Sequence, residues 1–308
     1  MRKMHIGKVI RQRREALGYT QQELCEGICE PPNISRIENG VQIPSRRTMT
    51  CLLERLGLSG DMYMAYLSDN EAEIEDLQTE IVSCNMTVDS EKGLAAIERL
   101  EQIVEENDHI TRQFILRSKA ILGHRIDDVI IPYTEEERLE LLYSAIKLTV
   151  PKFEIDKISD NLYGIIEVKI INQIAQVYSR RGQNSLAIDI YQKLFEYVKT
   201  HMEGLKEQSS LLPMISYNYS RELCMQRKAK DAMYIAEIGR EYSIRYGRYE
   251  FLGGLLVVIA DCLCQLGNIE ESQKRINDAF NFYKILEKHE EAKITLQHAR
   301  EILGVELV

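Results

Sequence analysis

Long apolar runs are missing from this 308-residue chain. The longest, Phe251 to Ala260, is half of the about 20 residues a helix needs to cross a bilayer. The N-terminus is basic with no apolar core behind it, so neither a secretory leader nor a membrane anchor is expected, and the protein is expected in the cytoplasm. Catalytic signatures are missing as well. There is no phosphate-binding glycine loop, no GxSxG, no HExxH (the nearest run is His289, Glu290, Glu291, Ala292, Lys293) and no Ser/His/Asp grouping that spacing singles out. The seven cysteines, Cys25, Cys29, Cys51, Cys84, Cys224, Cys262 and Cys264, form an odd, scattered set without CxxC or a Cys/His cluster. Neither a disulfide framework nor a metal site is indicated, and most of the thiols are expected to be reduced and buried. Cys25 and Cys29 lie one helical turn apart, but no further Cys or His accompanies them as a ligand set. A non-enzymatic protein without cofactor or metal is expected.

What is present is unevenly charged. Residues 1–67 hold 10 Lys+Arg against 7 Asp+Glu, whereas the remaining 241 hold 29 against 41. Arg2, Lys3, Lys8, Arg11, Arg13 and Arg14 precede any acidic residue, a distribution suited to a polyanionic backbone. Within this basic segment Thr20 and Glu23 have the spacing of a capping box, and Gly27 can close the helix they start. Pro31 and Pro32 restart a helix where first-turn amides have no partner in any case. Ile6, Val9, Ile10, Arg13 and Leu17 stand at helical spacing upstream, with Gly18 as a stop. Downstream, Ser45 caps a helix carrying Met49, Leu52, Leu53 and Leu56. Short helices can close a core around Leu24, Ile28, Ile34 and Ile37, which leaves Pro32, Ser35 and Arg36 outward and Asn33 at the boundary.

The segment TQQELCEGICEPPNISRIENGVQIPS, residues 20–45, resembles the Xre/Cro type of helix-turn-helix through TQxxL and ISRIENGxxxPS. That resemblance implies double-stranded DNA as a partner. Gln21 would hold a phosphate, Asn33, Ser35 and Arg36 would read bases in the major groove, and Arg46 and Arg47 would lie along the duplex backbone. Pro31 and Pro32 depart from the pattern, because neither can donate to a base edge.

Beyond Leu67, Ile74, Leu77, Ile81 and Cys84 make one apolar seam on a linker helix, to be covered either by the chain's own second domain or by the same helix of a partner. From about residue 90 onward the pattern is amphipathic helices with a weak repeat. Ala175, Tyr178 and Gly182 precede Ala187, Ile190, Tyr191 and Leu194. Ser220, Leu223 and Arg227 precede Ala232, Ile235 and Ile238, and Ala260, Leu263 and Gly267 precede Ser272, Ile276 and Ala279. An earlier pair is expected at Thr111 to His124 and Thr134 to Val150. Small residues at helix crossings and Gly in the turns resemble tetratricopeptide repeats. The expected fold is all-α: a helix-turn-helix domain (1–67), a linker helix (68–88) and a tetratricopeptide-like right-handed α-solenoid for sensing and dimerisation (89–308).

Taken in order, ICEPPNISRIENG, IINQIAQVYSRRG, ISYNYSREL and NDAFNFYKILEKH resemble the quorum-sensing peptide receptors of Gram-positive bacteria, the class of PlcR, PrgX, NprR and the Rgg proteins. The resemblance implies a homodimeric transcription regulator on a roughly palindromic operator, controlled by a short signalling peptide in the concave face of the repeats. Asn172 and Asn218 match asparagines that grip the peptide backbone, a task suited to a carboxamide with one acceptor and two donors. Tyr217, Tyr219 and Met225 could line side-chain pockets, and Arg117 and Lys119 could meet a carboxylate. The resemblance to PlcR places Gly254 where that receptor carries a polar residue, which points to a different, more hydrophobic ligand. Two other readings stay open: an NprR-like dual regulator that also binds or inhibits a signalling protein, and a repressor whose repeats only dimerise or bind another protein.

Overall fold

The computed structural model describes residues 6–42, 44, 46–58, 69–87, 89–106, 108–122, 133–202 and 208–304. All regular structure among them is helical, and the chain divides into two compact units, Met1–Glu105 and Glu106–Val308. The first unit contains α1 (Ile6–Ala16), α2 (Gln21–Cys25), α3 (Pro31–Glu38), α4 (Arg46–Arg55), α5 (Asp69–Thr87) and α6 (Ser90–Ile103). The capping box forms as the spacing predicts: Thr20 Oγ1 accepts the Glu23 amide at 3.2 Å, and the Glu23 carboxylate accepts the Thr20 amide at 2.7 Å. Gly27 takes the left-handed conformation in the turn between α2 and α3. Ile10, Leu24, Ile34, Ile37, Met49, Leu52, Leu53 and Leu56 are buried together, with half-buried Ile28 packed against them. Ser45, assigned by spacing as a cap, lies outside the described residues.

The α1 stripe differs from its expected register. The helix ends at Ala16, so Leu17 stays 42% exposed, and the buried positions are Gly7, Ile10 and Arg14. At Gly7 a Cβ would stand 1.8 Å from the Ile37 carbonyl oxygen, so α1 and α3 meet backbone to backbone. Arg14 is buried because Glu38 neutralises it in a two-pronged ion pair, with Nε to Oε1 at 2.6 Å and Nη2 to Oε2 at 2.9 Å. On α5, Leu77, Ile81 and Cys84 are buried, and the helix packs along α6 as a hairpin closed by Lys92 and Glu80 at 3.2 Å. The helix packed on α5 within the chain is α6 of the same unit, not a helix of the second.

The second unit is a run of helix pairs: α7 (His109–Leu122) with α8 (Glu135–Thr149), α9 (Ile165–Arg180) with α10 (Asn184–His201), α11 (Gln208–Met225) with α12 (Ala229–Tyr246), and α13 (Leu252–Gln265) with α14 (Ile269–Ile285), followed by α15 (His289–His298). Each helix packs on the next, and α11 also packs on α9 and α13, the arrangement of a tetratricopeptide-like α-solenoid with the odd-numbered helices on the inner wall. Ala175, Ala187, Ser220, Ala232, Ala260 and Ser272 are fully buried where helices cross. The equivalent turn positions Gly182, Arg227 and Gly267 all adopt positive φ, at 74°, 60° and 82°. The repeat geometry therefore imposes a left-handed turn even where the residue has a Cβ. Replacing Arg227 with glycine removes that strain, and Arg227→Gly is expected to stabilise the chain by roughly 1 kcal/mol, read as a higher urea midpoint with an unchanged slope.

Candidate functional site

Two surfaces collect the residues that the sequence singles out. On α3, Pro31, Pro32 and Arg36 are exposed and Asn33 and Ser35 half-buried, while Ile34 and Ile37 turn inward. The face is short, polar and held by the helix cap, in which Asn39 Nδ2 donates to the Ser35 carbonyl at 2.8 Å. Gln21 donates through Nε2 to Glu38 at 2.8 Å, so the acid that buries Arg14 also orients Gln21 at the start of α2. Arg46 and Arg47 open α4, but their side chains lie outside the described residues. Removing Glu38 would leave the Arg14 cation buried without its partner. Glu38→Ala is expected to cost about 3 kcal/mol, visible in calorimetry as an earlier transition of this unit.

The second surface is the inner wall of the repeats. Asn172 on α9 and Asn218 on α11 come together: Asn218 Nδ2 donates to Asn172 Oδ1 at 3.1 Å and to the Met214 carbonyl at 3.2 Å. They line a cavity of about 390 Å³ with Gln173, Gln176, Arg221 and Glu222. Gln173 Oε1 and Glu222 Oε1 are buried acceptors with no hydrogen-bond partner, an arrangement that leaves two acceptors on this wall for incoming N–H donors. Tyr217 and Arg221 also line a second cavity of about 570 Å³, so the two adjoin along α11. Its walls include Met225, Gly254, Val257, Val258, Asp261, Ile294 and His298.

The sequence-derived residues divide here. Tyr217, Met225 and Gly254 reach the cavity. Tyr219 is buried against Tyr191, their rings 6.3 Å apart, and belongs to the core. A Cβ at Gly254 would meet the Tyr217 ring at 2.6 Å, so the space that glycine leaves is filled by that ring. The apolar character of this end comes instead from Met225, Val257, Val258 and Ile294. Arg117 and Lys119, two positions apart on α7, point to different sides of the helix. Arg117 Nε is buried without a hydrogen-bond partner, and desolvation pulls the guanidinium pKa down to about 10. Lys169, with its pKa lowered by burial and then by Arg117, completes a cationic pair that sequence reasoning missed.

Also missed were Gln173, Arg221, Glu222, Asp261 and His298. A helical stripe could have found Arg221: Asn172, Gln176 and Ser179 on α9, and Asn218, Arg221 and Met225 on α11, recur at three- and four-residue steps. His298 and Asp261 sit 2.6 Å apart at the far end of the groove, and the carboxylate raises the imidazole pKa. A raised folded-state value means the pair stabilises fully below about pH 6.5 and loses its contribution as pH climbs through the folded pKa. Asp261→Asn is expected to lower the urea midpoint at pH 6, with the deficit narrowing towards pH 9.

Among the described residues no group of three or more His, Cys, Asp or Glu has metal-ligand geometry, and no helix is long and apolar enough to cross a membrane. Fold and surfaces together define a helix-turn-helix protein with a helical-repeat sensor region. A helix-turn-helix family profile matches residues 10–62, and the profile of the RNPP family C-terminal domain matches residues 78–303. The chain belongs to the RNPP family. No curated protein sequence matches it significantly. Among solved structures it is similar to Bacillus thuringiensis PlcR in complex with the peptide PapR7 and DNA, at 19% identity and TM-score 0.69, covering 94% of this chain and 98% of that one. It is also similar to the Streptococcus dysgalactiae SHP pheromone receptor Rgg2, at 16% identity and TM-score 0.62, with 97% and 100% covered. ComR from S. thermophilus, in complex with DNA and its signalling peptide ComS, is similar at 15% identity and TM-score 0.59, again with 97% and 100% covered. At these identities the likeness is one of fold.

Proposed function

We propose that this RNPP-family chain is a cytoplasmic, homodimeric transcription regulator that grips duplex DNA through α3 and is controlled by a short peptide held along α9, α11 and α13. The observation that carries this reading is the groove itself. Two carboxamides, Asn172 and Asn218, face it beside the unpaired acceptors of Gln173 and Glu222, and together they can pair with the amides and carbonyls of an extended backbone whatever its side chains. The similar PlcR and ComR structures were each solved with DNA and a peptide, which supports the same division of labour.

At the DNA end, Arg36 suits guanine and Asn33 adenine, with Ser35 beside them, while Gln21, Arg46 and Arg47 would fix the register on phosphates. Two copies related by a twofold axis would set the spacing of a roughly palindromic site. Control requires that the peptide bind one arrangement of the repeats better than another, since a ligand indifferent to both shifts nothing. The proposed activity is binding rather than catalysis, with no cofactor. The cationic pair Arg117 and Lys169 offers a place for a carboxylate, whereas Lys119 points elsewhere.

The test uses synthetic peptides encoded by the reading frames that flank the gene. Calorimetry should find one that binds the full chain, and operator affinity measured by fluorescence anisotropy should change when that peptide saturates it. Asn172→Ala with Asn218→Ala should abolish peptide binding yet leave the peptide-free DNA affinity unaltered. Operator affinity that stays constant at calorimetric saturation would refute the control mechanism.

A further inference from the structure

The fold brings two of the scattered cysteines together. Cys224 lies at the end of α11 and Cys262 on α13, and these helices pack directly. Cys262 stands one turn before Gln265 on α13, on the side of the helix that meets Cys224. Gln265 donates through Nε2 to the Cys224 sulfur at 3.2 Å and to the Cys224 carbonyl at 3.1 Å. A donor aimed at the sulfur stabilises its thiolate. The Cys224 pKa is lowered, with the neighbouring Cys262 side chain as the largest cause and Gln265 adding to it, whereas burial raises those of Cys29 and Cys84. Access is just as selective. Cys224 lines the cavity of about 570 Å³, while Cys262 stands behind it with no exposed surface.

We propose that Cys224 and Cys262 form a peroxide-sensitive thiol pair, with Cys224 attacking, Cys262 resolving, and the resulting disulfide stapling α11 to α13 across the cavity floor. The oxidant is hydrogen peroxide, small enough to enter the cavity. The Cys224 thiolate attacks one peroxide oxygen, the O–O bond breaks, and hydroxide departs to leave a sulfenic acid. The Cys262 sulfur then attacks that sulfur, forming the S–S bond and expelling a second hydroxide. The protons shed by the two thiols convert both hydroxides to water, so two thiols and one peroxide give one disulfide and two waters. This chemistry is independent of what ligand fills the groove. It would fix the spacing of two inner helices and thereby hold the wall in one arrangement.

The experiment treats the full-length protein with hydrogen peroxide, alkylates the remaining thiols with N-ethylmaleimide, and maps every cysteine by mass spectrometry. A cross-linked peptide joining Cys224 to Cys262, reversed by dithiothreitol, should appear before Cys29, Cys51 or Cys84 is oxidised. In Cys262→Ser the cross-link should vanish and Cys224 should accumulate as a sulfenic acid trapped by dimedone. In Cys264→Ser, which changes the half-buried neighbour, the cross-link should persist. Should the Cys262 variant fail to fold, as judged by circular dichroism, the wild-type map decides alone. Earlier oxidation of Cys29 or Cys51, or a cross-link from Cys224 to Cys264, would overturn the proposal.

Discussion

Much of the inner wall depends on the Tyr217 ring packing against the α13 backbone at Gly254. Any side chain at that position would overlap the ring, so glycine sets the distance between α11 and α13. Tyr217, with Arg221, is in turn shared by both cavities, which adjoin along α11. The same close approach brings Cys224 to Cys262 and seats Gln265 against the end of α11. Gly253 repeats the device one residue earlier, where a Cβ would overlap Tyr283 of α14. A tyrosine packed on backbone buries a large ring and keeps its polar end near the groove.

The remaining stability is distributed, as expected of a stacked array. No helix pair can bury its apolar face alone, so each depends on the next, and small residues at the crossings permit that dependence. The N-terminal unit works differently. There one buried ion pair, Arg14 with Glu38, fastens α1 to α3 and through Gln21 orients the start of α2. The acid that stabilises this small core therefore also positions a residue proposed to touch phosphate.

Sequence exposed what depends on local chemistry. Thr20 with Glu23 announces a helix start because a cap is settled within four residues, and that box forms. The repeat frame is legible from Gly182 and Gly267 with Arg227 at the equivalent position, and the structure shows that Arg227 shares their left-handed turn. Asn172 and Asn218 were legible through resemblance, and their meeting follows from the repeat frame. What stayed hidden depends on the rotational phase of one helix against another. Arg14 looks like a solvated cation until Glu38 is brought to it from 24 residues away, and His298 finds Asp261 across 37. Gly254 reads as a mark of a more hydrophobic ligand until the Tyr217 ring is placed against it.

The central claim is that ligand is received along the inner wall of α9, α11 and α13, and hydrogen exchange followed by mass spectrometry tests it most directly. With a flanking-frame peptide bound, exchange should slow in residues 172–180, 214–225 and 254–261, and remain unchanged on the outer helices α10, α12 and α14. Slowing confined to those outer helices would contradict the account.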